Sequence, residues 1–302
     1  MKKLSLNYKK TENETKKLIN TFAKKDHYDT VINESCNAYD LQGNEIFCFR
    51  KKFIPSEILE SSYQNLKNAA SKSTNRGAAS GGDTKYGKDK HGRTTKVHQT
   101  FVKGTDEMLS VESGIVGYFD RSGHYDFCRT TAFNKKHINK FKAAMPLIEF
   151  VDNSFKEIVP KRHAKQLSMV KATDPNYRIG ETAFSTVTVN KNYRTAYHTD
   201  AGDFRPGFGN LVAYCKDIEP VLFVLPRFGV AIQVETDDLL LVDVHEIHGN
   251  TEIIKKNDNG IRLSYVMYYR ENMWRCLPPS EELKRTKLNQ RVVGQKFIEG
   301  LI

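Results

Sequence analysis

Several features that would assign a chain to a broad class are missing from these 302 residues. No apolar run approaches the roughly 18 residues of a membrane-spanning helix, and the basic N-terminus has no apolar stretch behind it that would make it a secretion signal. The five cysteines are scattered, odd in number and without a C-x-x-C pair, which argues against a disulfide framework or a cysteine zinc site. We therefore expect an intracellular protein of the nucleus or cytoplasm, with reduced thiols and no membrane partner.

Negative charge is scarce in the N-terminal third of the chain. Residues 1–103 hold 20 Lys and Arg against 11 Asp and Glu, and so carry +9 of the formal net charge of +11. Within them, residues 72–103 hold 8 basic residues and 2 acidic ones. A basic segment of this kind is typical of proteins that bind a polyanion, most commonly nucleic acid. A solvated, lysine-rich surface explains the same composition equally well.

Four segments have the pattern of helices. Residues 8–25 show it weakly, whereas 56–70 form a short amphipathic pattern with Ser56 as a candidate N-cap. The clearest signal covers 133–159, where apolar residues recur every three or four positions. The tail, 280–302, returns to a charged helical pattern.

Large apolar residues are almost absent from residues 71–100, which directly follow the second helical segment. That stretch is rich in Ser, Gly, Ala and Lys, which predicts a basic loop at 72–104 that is either a flexible excursion or faces a substrate. We expect residues 1–55 to form a basic, partly helical N-terminal extension. Residues 56–302 then form a single domain.

From residue 179 onward the period of the pattern changes to two. Short β-rich runs are separated by Gly, Pro, Asn or Asp, as in TAFSTVTVN, GNLVAYC, VLFVLPRFGVAIQV, DDLLLVDV and IRLSYVMYYR. Strands at such spacing favour a barrel or sandwich over alternating βαβ units. Helices first and strands later predict an α+β fold with a β core.

The octet YHTDAGDF, residues 197–204, supplies the first candidate metal ligands. On a strand, side chains two residues apart point the same way, so His198 and Asp200 would converge. An imidazole and a carboxylate are two thirds of the 2-His-1-carboxylate triad, which binds Fe(II) and leaves positions for substrate and oxygen. Because a lone H-x-D triplet is common, the prediction requires a further histidine at the end of another strand.

Two histidines downstream are candidates for the third ligand. His245 and His248 both lie in DDLLLVDVHEIHGNTEI, and we favour His248 because it stands at the strand end, before the Gly-Asn-Thr turn. Further on, Arg262 and Ser264 share a strand face, and a guanidinium beside a hydroxyl suits the distal carboxylate of a dicarboxylate co-substrate. The order H-x-D, His, R-x-S matches the Fe(II)/2-oxoglutarate dioxygenases.

These motifs together resemble the TET/JBP family of Fe(II)/2-oxoglutarate-dependent DNA base dioxygenases, and more closely its J-binding-protein side. The segments that carry the resemblance are TNRGAASGG, SGIVGYFDRSGHYDFCRTTAFN, RTAYHTDAGDFRPGFGNL, LPRFGVAIQV, DDLLLVDVHEIHGNTEI and IRLSYVMYYRENM. The resemblance implies a double-stranded β-helix core (jelly-roll or cupin-like) with flanking helices, reduced to a minimal catalytic core.

The resemblance also implies a chemistry. Such an enzyme uses Fe(II), 2-oxoglutarate and O2 to hydroxylate the 5-methyl group of a pyrimidine flipped out of DNA. Conversion of thymine to 5-hydroxymethyluracil is slightly favoured over conversion of 5-methylcytosine to 5-hydroxymethylcytosine. His198, Asp200 and His248 would bind the iron, while Arg262 and Ser264 would bind the distal carboxylate of 2-oxoglutarate.

Three further residues are site candidates with open alternatives. Arg129 would contact the other end of 2-oxoglutarate or the base, or would be a structural residue paired with an acidic neighbour. Asp203 would read the base edge, or would only cap its turn. Arg76, with the lysines of 72–103, would contact phosphates.

Two other functions compete with DNA base oxidation. A 2-oxoglutarate dioxygenase that acts on a protein side chain, a free nucleotide or a small metabolite would keep the same site, but the basic N-terminal half argues against it. A non-catalytic DNA-binding relative would not need the iron and co-substrate residues that this sequence retains. No obligate protein partner is evident.

Overall fold

The computed structural model describes residues 1–88, 92–121 and 126–298. The strands are β1 (Lys2–Ser5), β2 (Thr30–Ile32), β3 (Cys36–Tyr39), β4 (Glu45–Arg50), β5 (Lys72–Ser73), β6 (Asp83–Lys88), β7 (Thr94–Phe101), β8 (Val111–Phe119), β9 (Arg129–Thr130), β10 (Thr186–Lys191), β11 (Gly209–Lys216), β12 (Leu222–Leu225), β13 (Val230–Gln233), β14 (Leu239–Val242), β15 (Gly249–Asn250) and β16 (Ile261–Tyr268). The helices are α1 (Glu12–Lys16), α2 (Ser56–Leu66), α3 (Ala132–Lys136), α4 (Ile138–Ala143), α5 (Met145–Ile158), α6 (Pro160–Ala172) and α7 (Pro279–Ile298). Parts of three predicted segments lie outside the described residues: 89–91 of the basic loop, 122–125 of the motif at 113–134, and 299–302 of the tail.

Two sheets form the centre of the molecule. The larger has the order β1-β3-β4-β14-β11-β16-β10-β8-β5, with β9 paired to β8, and the smaller has the order β15-β12-β13-β2. Leu211 and Leu240 of the larger sheet pack with Phe223, Leu225 and Ile232 of the smaller one in an apolar cluster. Most neighbouring strands are antiparallel, and the predicted β core is therefore present.

The other face of the larger sheet is covered by helices α2, α4 and α5. Val187 and Val189 of β10 are fully buried against this helical layer. The intervening Thr188 and Asn190 point the opposite way and line a cavity. The alternation of a strand therefore separates a helix-packed side of the sheet from a side that carries polar groups.

The helix predictions are partly confirmed. Segment 56–70 contains α2, but its N-cap is Pro55, and the hydroxyl of Ser56 instead donates to Asp237 at 2.5 Å. Segment 133–159 is not one helix but α3, α4 and α5, interrupted at His137 and Ala144. Helix α6 was not predicted from the sequence. In the described part of the chain, no helix is long and apolar enough to span a membrane.

The N-terminal segment 1–55 is an integral part of both sheets. β1, β3 and β4 extend the larger sheet through pairing of β4 with β14, and β2 pairs with β13 in the smaller sheet. Its only described helical pieces are α1 and the 3₁₀ turn Lys25–His27. The boundary predicted at residue 55 therefore does not separate two structural units.

The predicted loop at 72–104 contains regular structure. β5 pairs with β8, a 3₁₀ helix covers Gly77–Ser80, and β6 pairs with β7 to form a ribbon that joins neither sheet. The composition correctly indicated the shortage of large apolar residues. The composition did not predict the strands, because a two-stranded ribbon is held together by cross-strand hydrogen bonds and needs few large apolar residues.

Cys128 and Cys276 form a disulfide bond, so the prediction of unpaired cysteines is wrong for these two. They are 148 residues apart in the sequence, and both lie in an apolar cluster with Tyr177 and Tyr269. The odd count gave no signal of this pair because the remaining three cysteines are free.

Reduction of this disulfide is expected to lower the thermal stability. A cross-link between such distant positions restricts the unfolded chain, and its loss costs about 2–5 kcal/mol. Thermal melting with and without a reductant should show a drop of several degrees in the wild type and no reductant effect in Cys276→Ala. An unchanged melting temperature, with the bond shown to be reduced by intact mass, would contradict this expectation.

Candidate functional site

A cavity of about 350 Å³ lies between the two sheets. Its walls combine the rim segment 76–79, the polar faces of β10 and β16, and the loop 198–203. The predicted site residues on this wall are Arg76, His198, Asp200, Asp203, His248, Arg262 and Ser264. The cavity therefore brings together seven of the nine candidate side chains named from the sequence, all except Arg129 and His245.

His198, Asp200 and His248 converge at one point of the cavity. The Asp200 carboxylate lies 3.6 Å from Nε2 of His198 and 3.7 Å from Nε2 of His248. One potential ligand atom from each residue lies within 4.8 Å of the other two. Bonds of about 2.1 Å to a shared ion place two ligand atoms roughly 3.0–3.4 Å apart, so the three groups fit a single metal after a small inward shift of their side chains.

The backbone holds the two histidines together. His198 and His248 exchange both of their backbone N–H···O hydrogen bonds at 3.0 Å, and the N–H of Asp200 donates to the carbonyl of Val244 at 3.0 Å. His198 and Asp200 thus point together as predicted, although the pairing is one isolated bridge and not a long strand. Phe223 stacks on the His248 ring with the centroids 5.1 Å apart.

Both imidazoles are prepared to accept a metal at Nε2. Nδ1 of His198 lies 2.7 Å from the carbonyl oxygen of Ala196, and Nδ1 of His248 lies 2.9 Å from that of Glu246. A carbonyl oxygen can only accept, so each Nδ1 carries the proton and each Nε2 keeps its lone pair. Burial, aided by His198, lowers the pKa of His248 to about 4, which keeps it neutral at physiological pH.

His245 is placed differently from His248. It is not among the described residues that line the cavity. Its Nε2 is buried and has no hydrogen-bond partner in the described part of the chain. Its backbone N–H donates to Asp243 at 3.0 Å. The geometry therefore groups His248, and not His245, with His198 and Asp200.

Arg262 places a buried positive charge at another part of the cavity wall. Arg262 is only 5 % exposed. In the described part of the chain, no carboxylate lies within salt-bridge distance of its guanidinium, and its Nε has no hydrogen-bond partner. Burial lowers the pKa of this guanidinium, and the Cys215 thiol beside it opposes that shift. Ser264, 3 % exposed, lines the same wall. A buried, unpaired guanidinium is costly by itself, so this pair fits an anionic ligand such as a carboxylate.

Arg76 points into the cavity and not toward the outer surface. Its Nε is buried without a hydrogen-bond partner among the described residues. Burial lowers the pKa of its guanidinium, whereas Tyr268, Tyr193 and Asp200 favour its charged form. Arg76 is therefore a residue of the cavity wall, and its predicted contact with phosphates stays a prediction.

Asp203 lies on the cavity wall beside Arg270. Burial, and next the Asp200 carboxylate, raise the pKa of Asp203 well above its usual value, and Arg270 opposes this. Nε of Arg270 donates to the buried Asp120 at 2.8 Å, and its guanidinium lies 4.3 Å above the Phe119 ring. Its Nη1 and Nη2 have no hydrogen-bond partner within the described ranges.

Arg129 is not one of the described cavity-lining residues. Its Nη1 donates to the carbonyl of Asp120 at 3.0 Å, and its guanidinium lies 5.1 Å from the Phe119 ring. It therefore contacts Phe119, a residue of the cavity wall, and the choice between a structural role and contact with the co-substrate or base stays a prediction.

Sequence reasoning missed Tyr268 and Arg270. Both lie on the cavity wall with Arg262 and Ser264, because every second side chain of β16 and its continuation points to the same side. Continuing the every-second-residue pattern of Arg262 and Ser264 for six more residues leads to Tyr268 and Arg270.

Comparison with known proteins agrees with this site. Residues 114–271, just over half of the chain, match the family Tet_JBP, described as the oxygenase domain of the 2OGFeDO superfamily. The chain belongs to this family. The Tet_JBP match contains all the predicted site residues except Arg76.

Two curated relatives are similar to this Tet_JBP chain over less than a third of their own length. Thymine dioxygenase JBP1 of Trypanosoma brucei brucei is 35 % identical over 201 residues, which are 62 % of this chain and 24 % of that protein. Bifunctional helicase and thymine dioxygenase JBP2 of Leishmania major is 33 % identical over 193 residues, which are 63 % of this chain and 17 % of that protein.

A solved structure, NgTET1 in complex with 5mC DNA, resembles this Tet_JBP chain in fold. The match covers 92 % of this chain and 99 % of that chain, with a TM-score of 0.54 and 12 % identity. The predicted α+β fold with a double-stranded β-helix core is thereby confirmed.

Proposed function

We propose that this protein is an Fe(II)/2-oxoglutarate-dependent dioxygenase that hydroxylates the 5-methyl group of a pyrimidine base in DNA. The observation that carries the proposal is the combination, in one cavity, of a His-Asp-His cluster with a buried guanidinium that has no acidic partner in the described part of the chain. Membership of Tet_JBP supports the class of reaction. The names of the curated relatives support thymine as the favoured base, with 5-methylcytosine as the alternative.

His198, Asp200 and His248 would hold Fe(II) on one face. When bound, the iron supplies the oxidising chemistry, in which O2 and 2-oxoglutarate convert a methyl C–H into C–OH with succinate and CO2 as co-products. Three protein ligands leave open positions for co-substrate and oxygen. The carbonyls of Ala196 and Glu246 keep the two imidazoles in the tautomer that binds at Nε2.

Arg262 and Ser264 would orient 2-oxoglutarate. The guanidinium offers a planar pair of donors to the distal carboxylate, and the serine hydroxyl adds a third donor. Arg76 faces the same cavity near Asp200, and we assign it to an anionic or carbonyl group of the co-substrate or substrate inside the cavity. The double-stranded β-helix thus presents its polar strand faces to one small, enclosed reaction volume.

Asp203 and Arg270 would meet the edge of the flipped base. Together they offer a carboxyl group and unpaired N–H donors on the wall that also contains Phe119. A flipped base is recognised by hydrogen bonds to its edge and by stacking. Asp120 would fix Arg270 for this contact through the bond to its Nε.

Succinate formation tests the choice of DNA as substrate. With Fe(II), 2-oxoglutarate and O2, ordinary duplex DNA should stimulate succinate release, whereas unmethylated DNA with uracil in place of thymine should not. Added 5-methylcytosine in the uracil-containing duplex separates the two bases. Stimulation by peptides, free nucleotides or small metabolites, with none by DNA, would contradict the proposed substrate.

The choice between His248 and His245 is open to a direct test. His248→Ala is expected to remove bound iron, whereas His245→Ala should retain it because His245 lies outside the cavity lining. The metal content of anaerobically loaded protein is the measurement. Loss of iron in His245→Ala with retention in His248→Ala would reverse the assignment.

A further inference from the structure

The β6–β7 ribbon adjoins a segment that lines the cavity. Ala78 and Ala79 line the cavity, and their 3₁₀ helix Gly77–Ser80 packs against both ribbon strands. The N–H of Gly77 donates to the Thr100 hydroxyl at 3.0 Å, and the N–H of Thr100 donates to the carbonyl of Thr74 at 2.6 Å. Whatever binds the ribbon is therefore held next to the entrance of the site.

The two faces of the ribbon differ in character. Lys85 is on one face, with its ammonium over the Phe101 ring at 4.5 Å and paired with Asp106. Tyr86, Lys88 and Lys96 are on the outward face, where Tyr86 and Lys96 are cross-strand partners. Tyr86 is 69 % exposed, which is unusual for so large a ring.

The outward face carries positive charge that the described residues do not neutralise. Within the described ranges, neither Lys88 nor Lys96 has a carboxylate at salt-bridge distance, and the Lys88 ammonium donates only to the Thr94 hydroxyl at 2.9 Å. An exposed aromatic ring between cations is the combination that binds nucleic acid, since the cations meet phosphates and the ring packs against a base or sugar.

We propose that the outward face of the β6–β7 ribbon binds the DNA duplex beside the target base. Lys88 and Lys96 contact phosphates, and Tyr86 packs against a neighbouring sugar or base. A six-residue strand is about 20 Å long, and a two-stranded ribbon fits the dimensions of a duplex groove. This inference rests on the proposed function, because it assumes that the cavity receives a base from DNA.

The test compares two double variants that remove the same charge. Lys88→Gln/Lys96→Gln alters the ribbon, whereas Lys140→Gln/Lys142→Gln alters exposed lysines of α4 in the helical layer, on the opposite side of the larger sheet. Binding of a fluorescent 20-base-pair duplex is measured over a series of salt concentrations, without co-substrate. Thermal melting verifies that all variants fold.

The ribbon variant should bind about tenfold or more weakly, and the slope of log K against log salt should fall by about 1.8, which corresponds to two phosphate contacts. Tyr86→Ala should weaken binding about fivefold or more with an unchanged salt slope. The α4 variant should bind as the wild type does. Equal losses in both double variants, or no loss in the ribbon variant, would overturn the inference.

The two proposals fail in different ways. If the protein oxidises DNA but the ribbon variant binds DNA as tightly as the wild type, only the ribbon contact is refuted. Ribbon-dependent, salt-sensitive binding with no oxidation of any DNA base would refute the proposed reaction and leave the ribbon contact supported.

Discussion

Asp200→Ala is expected to abolish both iron binding and turnover. Asp200 is the only anionic member of the cluster, and its two carboxylate oxygens face Nε2 of both histidines at 3.6 and 3.7 Å. Without it, two neutral imidazoles remain, which bind Fe(II) far more weakly and no longer fix it on one face. Anaerobic addition of Fe(II) and 2-oxoglutarate should produce the weak visible charge-transfer band of this enzyme class in the wild type and none in the variant.

Asp203→Asn is the matched control for this loss. Asp203 is a carboxylate three residues away on the same cavity wall, but it is not part of the metal cluster. The band should persist in this variant even if base recognition is impaired. A wild type without the band, or an Asp200→Ala variant that retains it, would contradict the metal site.

Arg262→Gln is expected to raise the KM for 2-oxoglutarate by at least about 30-fold, because truncating one partner of a buried charge pair costs about 2 kcal/mol or more. Fe(II) binding should be unaffected, since Arg262 is not a member of the metal cluster. Saturating 2-oxoglutarate should restore part of the kcat. Steady-state kinetics that vary 2-oxoglutarate are the measurement, and Arg262→Lys, which keeps the charge but not the planar fork, should be intermediate.

Thermal melting gives this prediction a readout that does not depend on activity. Without an anion, Arg262 is a buried charge without an acidic partner among the described residues, so Arg262→Met should not destabilise the ligand-free protein. With a divalent metal present, 2-oxoglutarate should raise the melting temperature of the wild type but not of the variant. An equal rise in the melting temperatures of the wild type and Arg262→Met would mean that the distal carboxylate of 2-oxoglutarate does not bind at Arg262.

Local patterns were sufficient for the parts of the site that depend on strand alternation. Arg262 and Ser264 lie on one wall because they are two residues apart, and the same rule accounts for Asn190 beside Thr188. The position of His248 before a turn favoured it over His245, and His248 does lie on the cavity wall, whereas His245 is not among the described lining residues. Which of the two binds iron stays a prediction. In each case the sequence spacing itself determines the direction of the side chain.

Features that depend on distant pairing could not be predicted. β4 joins the larger sheet through β14, about 190 residues later, so nothing local identifies residues 1–55 as part of the core. The same applies to the bond between Cys128 and Cys276. Arg76 lies in a basic segment that was predicted as a loop, and nothing local indicated that hydrogen bonds from Gly77 and Thr100 hold that segment at the cavity.

Mass spectrometry of nucleosides is the most direct test of the central claim. The purified protein is incubated with Fe(II), 2-oxoglutarate, O2 and duplex DNA that contains both thymine and 5-methylcytosine, and the DNA is then digested to nucleosides. The proposed function predicts 5-hydroxymethyl-2′-deoxyuridine, or 5-hydroxymethyl-2′-deoxycytidine if the methylated cytosine is preferred, and neither product with Asp200→Ala. If the protein binds iron and 2-oxoglutarate but the digested DNA contains neither oxidised nucleoside, DNA base oxidation is contradicted.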